Sequence, residues 1–431
     1  MDNETKTYLR EQLGIPGWII ELTQASESKL SEVFQRLDDI GAYNQYKVLS
    51  AFQECRIQDL HFGWNTGYGY DDPGRAALEK LYATVFGAQA ALVRPTIVSG
   101  THALASVYFG ILRPGDELMY CSGRPYDTME TIIGLGEAGQ GSLNEFGITY
   151  RCVDVTEEGD IDIPAVVEAI SPATRMVCVQ RAAGYSFRPP VGIDRIREWA
   201  AACKAKKPDI LCMVDNCYGE FTDRLEPTDA GVDIMAGSLI KNPGGGLALS
   251  GGYIAGREDL VRQVSYRVTS PGIGGECGLT FGQSRSMFQG LFLAPNVVCG
   301  AMKGAALCAA VFQALGYEVC PLPESQNRDV IQAVLMGDAT AASTFCEGVQ
   351  SASPVDAHIL PIAWDMPGYE DPVIMAAGAF VQGSSIELSA DGPMREPYIA
   401  YFQGGLTYEH ARFGVMKTVS HLQHKGIIEP K

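Results

Sequence analysis

The chain has 431 residues, of which 46% are hydrophobic and 19% are charged, a composition typical of a soluble globular protein with material for two or three domains. Its formal net charge is −18, which makes it a poor candidate for binding nucleic acid or an anionic membrane surface.

The 12 cysteines are scattered, without a CxxC pair or the spacing of metal ligands. Most lie in apolar runs, which is typical of small buried side chains in a reducing compartment, so we predict neither disulfides nor a metal site. The first ten residues, MDNETKTYLR, contain no apolar signal region. We therefore expect a cytoplasmic protein without a membrane partner.

The predicted elements begin with helices, because residues 1 to about 50 repeat apolar side chains at intervals of three and four. A loop rich in Gly, Tyr and Asp follows at 63–75, and a helix is predicted for 76–86. Strands and helices then alternate. The predicted strands are 90–94, 117–121, 147–153, 176–179, 209–214, 233–236 and 252–255, and the predicted helices between them are 104–112, 164–170 and 193–205.

Such alternation predicts an α/β fold with a mainly parallel sheet that is covered by helices on both faces. Ligands of sheets of this kind bind beyond the carboxyl ends of the strands. The polar side chains that fall just after predicted strands are Ser99, Tyr126, Arg181, Asp215 and Lys241.

A long apolar stretch, 290–316, contains Pro295, Lys303 and many Ala and Gly residues, which favours an internal helix over a membrane span. Beyond it we predict strands at 358–361, 373–376, 385–388 and 398–402 and a terminal helix at 408–425, which together indicate a smaller α+β domain. The predicted segments are an N-terminal helical segment 1–55, a large domain 56–300 and a small domain 301–431.

Lys241 lies in the stretch GSLIKNPGGG, directly after Leu239 and Ile240. Two apolar neighbours should desolvate its amine and favour the neutral, nucleophilic form that reacts with an aldehyde. The glycines that follow allow the backbone to approach a ligand closely. On this stretch alone, a surface lysine before a Gly-rich turn is an equally good interpretation.

Ser99 and Thr101 open a predicted helix, and a helix N-terminus that offers free N–H groups can bind phosphate. An ordinary capped helix is the simpler interpretation of this motif alone. Asp215 ends an apolar strand 26 residues before Lys241, and by itself it could be a turn or cap residue.

Taken together, the ordered motifs GWNTGYGYDD, SGTHA, RPYDT, VDNCYGEF, SLIKNPGGG and SIELSADGPMREPY resemble those of pyridoxal phosphate enzymes with the aspartate-aminotransferase-like fold, known as fold type I. More narrowly, the chain resembles the methionine gamma-lyase and cystathionine beta-lyase relatives known as aluminium-resistance proteins. The resemblance covers most of the chain. It implies a large domain with a seven-stranded, mainly parallel sheet, and pyridoxal 5'-phosphate as cofactor.

The resemblance also implies roles for individual residues. Lys241 would bond to the cofactor aldehyde and later carry protons, while Asp215 would pair with the protonated ring nitrogen. Tyr126 would stack on the ring, although a core aromatic is an equal alternative. The residues implied for the phosphate are Ser99, Gly100, Thr101, His102 and Ser238, of which the histidine could equally be a helix-start residue without a ligand.

Tyr70 and Arg75 resemble the loop that reaches the phosphate of a neighbouring subunit in related lyases. This implies a homodimer or homotetramer with shared active sites, although Arg75 could equally be a surface helix residue. Arg395 is the implied clamp for the substrate carboxylate, with an ion pair to Glu396 as the alternative. Arg181 is a second cationic candidate.

Two features depart from the family pattern and leave the substrate open. Ala182 and Ala183 stand where a polar or basic residue is expected, and the loop 270–276 carries no basic residue.

The implied activity is that of a carbon–sulfur lyase that converts a sulfur-containing amino acid, by beta- or gamma-elimination, to a thiol, a 2-oxo acid and ammonia. Fold and cofactor alone also allow a transaminase, an aldolase or a sulfhydryl transferase. A non-catalytic protein that binds the cofactor or an amino acid is a further alternative. A dinucleotide-dependent dehydrogenase is disfavoured, because no GxGxxG lies between an early strand and a helix.

Overall fold

The computed structural model describes residues 1–136 and 139–429. The helices are α1 (Asn3–Glu11), α2 (Gly17–Lys29), α3 (Ser31–Glu54), α4 (Pro73–Val85), α5 (Gly100–Ile111), α6 (Asp127–Ile133), α7 (Ile163–Ala169), α8 (Ile193–Lys206), α9 (Glu258–Val268), α10 (Ser284–Leu315), α11 (Ala339–Gln350) and α12 (Tyr408–His424). The strands are β1 (Ala90–Arg94), β2 (Glu117–Tyr120), β3 (Thr149–Cys152), β4 (Thr174–Gln180), β5 (Leu211–Asp215), β6 (Ile234–Ser238), β7 (Gly252–Gly256), β8 (Val319–Cys320), β9 (Ile331–Leu335), β10 (Val373–Ala376), β11 (Ser389–Pro393) and β12 (Ile399–Gln403).

The large sheet has seven strands in the order β1-β7-β6-β5-β4-β2-β3. Strands β2 to β6 pair in parallel, whereas β7 is antiparallel to both of its neighbours. The connection from β6 to β7 contains no α-helix, and a connection without a crossover helix favours antiparallel pairing. The sheet is therefore mainly parallel, as the alternation of elements predicted.

The central strands are apolar because both faces of the sheet are covered. β5, with the sequence LCMVD, is buried along its whole length, whereas the edge strand β3, with the sequence TYRC, is largely exposed. Side chains of α5 and α9 pack with those of the central strands in one continuous core. This core holds the strand ends in fixed positions.

The small sheet has five antiparallel strands in the order β10-β11-β12-β9-β8. The strand predicted at 373–376 is present as β10, and the strand predicted at 398–402 is present one residue later as β12.

Two predicted strands of the smaller domain are wrong. Residues 358–361 are not a strand, since Ile359 and Leu360 are exposed and Pro361 has no N–H to donate to a sheet. Residues 385–388 precede β11 instead of forming it. There the Glu387 carboxylate accepts hydrogen bonds from the N–H groups of Phe380 and Val381, which makes this segment a turn.

The chain forms two compact units. One comprises Met1–Ala42 with Asn296–Lys431, and the other comprises Tyr43–Pro295. The second unit contains the large sheet and the first contains the small sheet. The segment boundaries predicted after residues 55 and 300 stay a prediction.

Among the described residues, one helix, α10, is long and apolar enough to cross a membrane, and 78% of its most apolar window is buried inside the structure. Burial of this kind is typical of a core helix, as the sequence predicted. The 12 cysteines, all of which lie in the described part of the chain, form no disulfide: nine are buried, Cys277 and Cys320 are partly buried, and Cys152 is exposed.

Candidate active site

The carboxyl ends of three neighbouring parallel strands define the site. Gln180 ends β4 and is in register with Asp215 at the end of β5, which is in register with Ala236 of β6. Ser238 ends β6 and Lys241 follows three residues later. The sheet therefore brings Asp215, Ser238 and Lys241 to one edge, where ligands of parallel sheets bind.

The N-terminus of α5 converges on the same edge. A Cβ atom at Gly100 would lie 3.2 Å from both Cys217 Sγ and Ser238 Cβ. The start of the helix, the turn after β5 and the end of β6 are thus in direct contact, and only a residue without a side chain fits between them without displacing a neighbour.

Lys241 is partly buried, and its Nζ lies 3.8 Å from the centroid of the Tyr218 ring, a cation–π contact that favours the ammonium form. Burial lowers the pKa of Lys241, but Cys217, Tyr218 and Asp215 raise this pKa by more, so that it lies above the ordinary value of a lysine. The expectation that Leu239 and Ile240 leave a neutral amine is therefore wrong for the chain on its own.

Asp215 is 7% exposed, and burial raises the pKa of its carboxyl group, while Lys241 and a hydrogen bond from the Cys217 N–H (3.1 Å) lower it in part. A buried carboxylate requires a cationic partner. Lys241 is such a partner, and a protonated ring nitrogen in the crevice would be another.

Ser99 caps α5, and its Oγ accepts the N–H of His102 at 3.0 Å. The ring Nδ1 of His102 accepts the N–H of Val98 at 3.2 Å, and burial, followed by the charge of Arg267, lowers the pKa of this ring. Both contacts match the alternative role of a helix-start histidine. The cofactor role of His102 stays a prediction.

The first-turn N–H groups of Gly100 and Thr101 have no partner within the helix, as at any helix N-terminus. The Thr101 hydroxyl lies 3.2 Å from the Thr128 hydroxyl, and Ser238 is buried nearby. Two N–H groups and several hydroxyls thus form a cradle suited to a phosphate. Thr128 was missed in the sequence, although it lies in the RPYDT motif.

Tyr126 precedes α6, and its N–H donates to the Gln180 side chain at 2.8 Å. Its half-buried ring lies 5.3 Å from the Tyr185 ring at an angle of 42°. Gly184 has a φ of 60°, and a Cβ there would lie 3.2 Å from Tyr126 Cδ2. Tyr185, which sequence reasoning missed, thus supports Tyr126 from the loop after β4.

Arg181 is buried, and its guanidinium donates to Asn216 Oδ1 (3.0 Å) and to the Gly219 carbonyl (2.7 Å), with Glu226 at 3.8 Å. It stabilises the turn after β5 from inside the protein. These contacts favour a structural role, and the predicted role in substrate binding stays a prediction.

Arg75 is also buried, so the alternative of a surface helix residue is wrong. Its guanidinium donates to the carbonyls of Gly69 (2.6 Å), Gly278 (2.8 Å) and Glu276 (2.9 Å). It ties the aromatic loop 63–75 to the loop 275–278 of its own chain. Tyr70 is exposed on this loop, and contact with a neighbouring subunit stays a prediction for both residues.

Arg395 belongs to the unit that contains the small sheet, where its guanidinium donates to Asp371 at 3.0 Å. Asp371 is thus an acidic partner of Arg395, which the sequence did not indicate. The predicted role of Arg395 as a substrate clamp is not tested by this contact.

The crevice fits pyridoxal phosphate by its chemistry, because it combines an amine, a buried acid, a flat aromatic ring and a phosphate cradle. The described residues contain no group of three or more His, Cys, Asp or Glu side chains that could hold a metal ion.

The family model described as methionine gamma-lyase matches residues 19–423. The chain belongs to the methionine gamma-lyase family.

Several family members have solved structures that cover almost the whole chain. A carbon–sulfur lyase involved in aluminium resistance from Clostridium novyi is 47% identical, with a TM-score of 0.94, over 98% of this chain and 100% of the other.

A further family member from Listeria monocytogenes, named as a candidate cystathionine beta-lyase involved in aluminium resistance, is 50% identical with a TM-score of 0.90, over 93% of this chain and 99% of the other. YnbB of Bacillus subtilis, a protein of uncharacterized activity, is 48% identical over 93% of this chain and 96% of its own. These likenesses confirm the resemblance read from the motifs.

A more distant likeness concerns the fold alone. The structure of cystathionine gamma-lyase from Lactobacillus plantarum is 18% identical, with a TM-score of 0.57, over 81% of this chain and 87% of the other. Together with the seven-stranded sheet and the smaller antiparallel sheet, it confirms the predicted fold type I architecture.

Proposed function

We propose that this protein is a pyridoxal phosphate-dependent carbon–sulfur lyase that acts on a sulfur-containing amino acid. The observation that carries the proposal is the placement of Lys241 and Asp215 at adjacent strand ends beside the N-terminus of α5. Membership of the methionine gamma-lyase family and likeness to a protein named as a carbon–sulfur lyase support the same activity.

Five groups would hold the cofactor. Lys241 would bond to its aldehyde, Asp215 would face the ring nitrogen, Tyr126 would cover the ring, and the N–H groups of Gly100 and Thr101 would hold the phosphate with nearby hydroxyls. When bound, the cofactor supplies an electron-withdrawing ring that stabilises negative charge on the alpha carbon of an amino acid.

Lys241 would act as the base that removes the alpha proton, and this role requires a neutral amine. Asp215 is one of the groups that raise the pKa of Lys241. A cation held by Asp215 offsets that negative charge, so the pKa of Lys241 falls when the acid has another partner. Departure of the thiol from the beta or gamma carbon would leave an unsaturated amine, which water hydrolyses to a 2-oxo acid and ammonia.

The cofactor assignment is tested by borohydride reduction of the protein loaded with pyridoxal phosphate, followed by peptide mass spectrometry. We expect the label on Lys241 and its loss in Lys241→Ala. The matched control Lys204→Ala, which changes a lysine paired with Asp233, should keep the label. A label on a different lysine in the unaltered protein would refute the assignment.

The reaction class is tested by incubating the loaded enzyme with cystathionine, cysteine and methionine separately. A lyase releases a 2-oxo acid and ammonia in equal amounts, and Lys241→Ala should abolish this release. An amino-acid product without ammonia would instead identify a transferase, and an oxo acid formed only with an amino-group acceptor would identify a transaminase.

We further propose that the working form is a homodimer or homotetramer with shared active sites. The loop 63–75 supports this, because Trp64, Tyr68 and Tyr70 are 68%, 73% and 56% exposed. Exposed aromatic clusters are typical of protein–protein contacts. Cysteines that form no disulfide among the described residues suit a reducing compartment, and we propose that the enzyme works in the cytoplasm.

A further inference from the structure

A second buried acid, Glu220, packs against β6, the strand that precedes Lys241. Glu220 is fully buried in the turn that follows β5. A Cβ at Gly237 would lie 2.7 Å from Glu220 Oε1 and 2.6 Å from Tyr253 Cε1. The carboxyl group and the tyrosine ring therefore press directly on the backbone of β6, four residues before Lys241.

The turn that carries Glu220 is tied to the residue after Lys241. Asn242 Nδ2 donates to the carbonyl of Tyr218 at 2.9 Å and to the carbonyl of Glu220 at 3.0 Å. Tyr218, whose ring lies under the lysine amine, has a φ of 69°, which is costly for a residue other than glycine. Asn242 thus holds this strained turn against the Lys241 backbone.

The Glu220 carboxyl group is only partly satisfied. The Tyr253 hydroxyl donates to Oε1 at 2.8 Å, while the buried Oε2 has no hydrogen-bond partner within the described part of the chain. Burial raises the pKa of Glu220 to about 8, although the Tyr253 hydrogen bond and the charge of Lys241 lower it in part. Glu220 therefore holds a proton at neutral pH and loses it at mildly alkaline pH.

Lys241 is the cation that lowers the pKa of Glu220, whereas the nearby cations Lys47 and Arg181 act on a different acid. Glu226, the other buried acid of this region, lies 3.8 Å from Arg181, and Lys47 and Arg181 both lower its pKa. The titratable groups that face Glu220 from the elements around it are Tyr82, Cys217, Glu226, Lys241 and Tyr253.

We propose that Glu220 is a positioning residue for Lys241, which acts through the Asn242 tether and through its buried charge to set how readily the lysine amine gives up its proton. An ionised Glu220 favours the ammonium form, and a protonated Glu220 favours the neutral amine. A role of this coupling in catalysis rests on the proposed lyase function. The coupling between Glu220 and Lys241 does not, because it involves only residues of this chain and no cofactor.

The coupling is tested on the full-length protein without cofactor, by the rate at which Lys241 is methylated by formaldehyde and cyanoborohydride. Peptide mass spectrometry reports the rate, with Lys204 as internal reference. Well above pH 8, where Glu220 with its pKa of about 8 is mostly ionised, Glu220→Gln should react about tenfold faster, which corresponds to about one unit in the pKa of Lys241. Below that pH the ratio should fall towards one, because both side chains are then neutral.

This dependence on pH distinguishes a change in the pKa of Lys241 from a general loss of packing around the lysine, because lost packing would speed the reaction at every pH. Glu226→Gln is the matched control well above pH 8, since it makes the same change in an acid that lies 3.8 Å from Arg181. The Glu226 charge raises the pKa of Glu220, so this variant should leave the Lys241 rate nearly unchanged where Glu220 is already ionised. Equal rates in Glu220→Gln and the unaltered protein above pH 8 would overturn the inference.

Tyr253→Phe provides a second variant in case Glu220→Gln does not fold. It removes the hydrogen bond that stabilises ionised Glu220 and so extends the protonated state to higher pH. Lys241 should then react faster in the mildly alkaline range, and an unchanged rate would contradict the proposal. A borohydride label away from Lys241 would instead remove the lyase function while leaving the rate comparison interpretable.

Discussion

Gly100 is a residue at which the crevice leaves little room for a side chain. Its position between Cys217 and Ser238 sets the distance from the first turn of α5 to the strand ends. The neighbouring N–H groups are those that we assign to the cofactor phosphate, so a shift of a few tenths of an ångström here bears directly on binding.

We expect Gly100→Ala to weaken pyridoxal phosphate binding by about tenfold or more, since misplaced donors lose most of the roughly 1.5–3 kcal/mol of a hydrogen bond to a charged group. Absorbance titration with the cofactor gives the affinity. Gly17→Ala is the matched control, because a Cβ at Gly17 meets nothing within 4 Å. Equal affinity in both variants would show that the crevice tolerates a methyl group.

Some properties of individual site residues could be predicted from the sequence alone, and others could not. Lys241 and Asp215 could be identified because each follows an apolar strand within a specific motif. The proton affinity of Lys241 could not, because Cys217 and Tyr218 reach the lysine from a different turn. The partner of Arg395 was equally hidden, since Asp371 lies in another segment of the chain.

Helix α5 links the cofactor cradle to the stability of the fold. Its cap, Ser99, is bonded to the His102 N–H within the first turn. Loss of an N-cap side chain costs about 1 kcal/mol and lets the first turn fray. In α5, fraying would also disorder the N–H groups of the cradle.

We therefore expect Ser99→Ala to lower the melting temperature and to weaken cofactor binding together. Asp162→Ala removes the equivalent cap of α7, where Asp162 accepts the Ala165 N–H at 3.0 Å. It should cost similar stability while leaving cofactor affinity unchanged. Thermal unfolding and absorbance titration of both variants make the comparison, and equal loss of affinity in the two would argue against a local role for the cap.

Among the helices and strands, the bounds predicted from the sequence were most accurate for short strands whose residues are nearly all buried. Strands β1 and β10 were predicted at their observed bounds, since short apolar runs between turn residues are distinctive. Helices α9 and α11 were not predicted. The segment 385–388 resembles a strand because Ile386 and Leu388 alternate with polar residues. Its Glu387 side chain instead accepts the N–H groups of Phe380 and Val381, a contact that the alternation does not reveal.

At the scale of the whole molecule, the exposed aromatic loop 63–75 carries the proposal of a homo-oligomer. Tyr68 and Tyr70 contact each other at 5.4 Å between ring centroids, on a loop that Arg75 fixes to its own chain. A rigid, exposed aromatic pair can bind a partner with little loss of conformational entropy.

We expect the double change Tyr68→Ser and Tyr70→Ser to shift the protein towards smaller species in sedimentation velocity, with loss of activity in proportion. Tyr8→Ser, which alters an exposed tyrosine of α1, should leave the assembly intact. A fully active monomer would exclude active sites shared between subunits.

The unit that contains the small sheet is built from both ends of the chain, Met1–Ala42 and Asn296–Lys431. During translation, the first of these segments leaves the ribosome long before the second exists. At 5–20 residues per second, the intervening 253 residues (295 − 42) take roughly 10–50 s to make. For that time Leu9 of α1 and Ile19 and Ile20 of α2, which are buried in the folded protein, lack their final packing and expose apolar surface that a chaperone can bind.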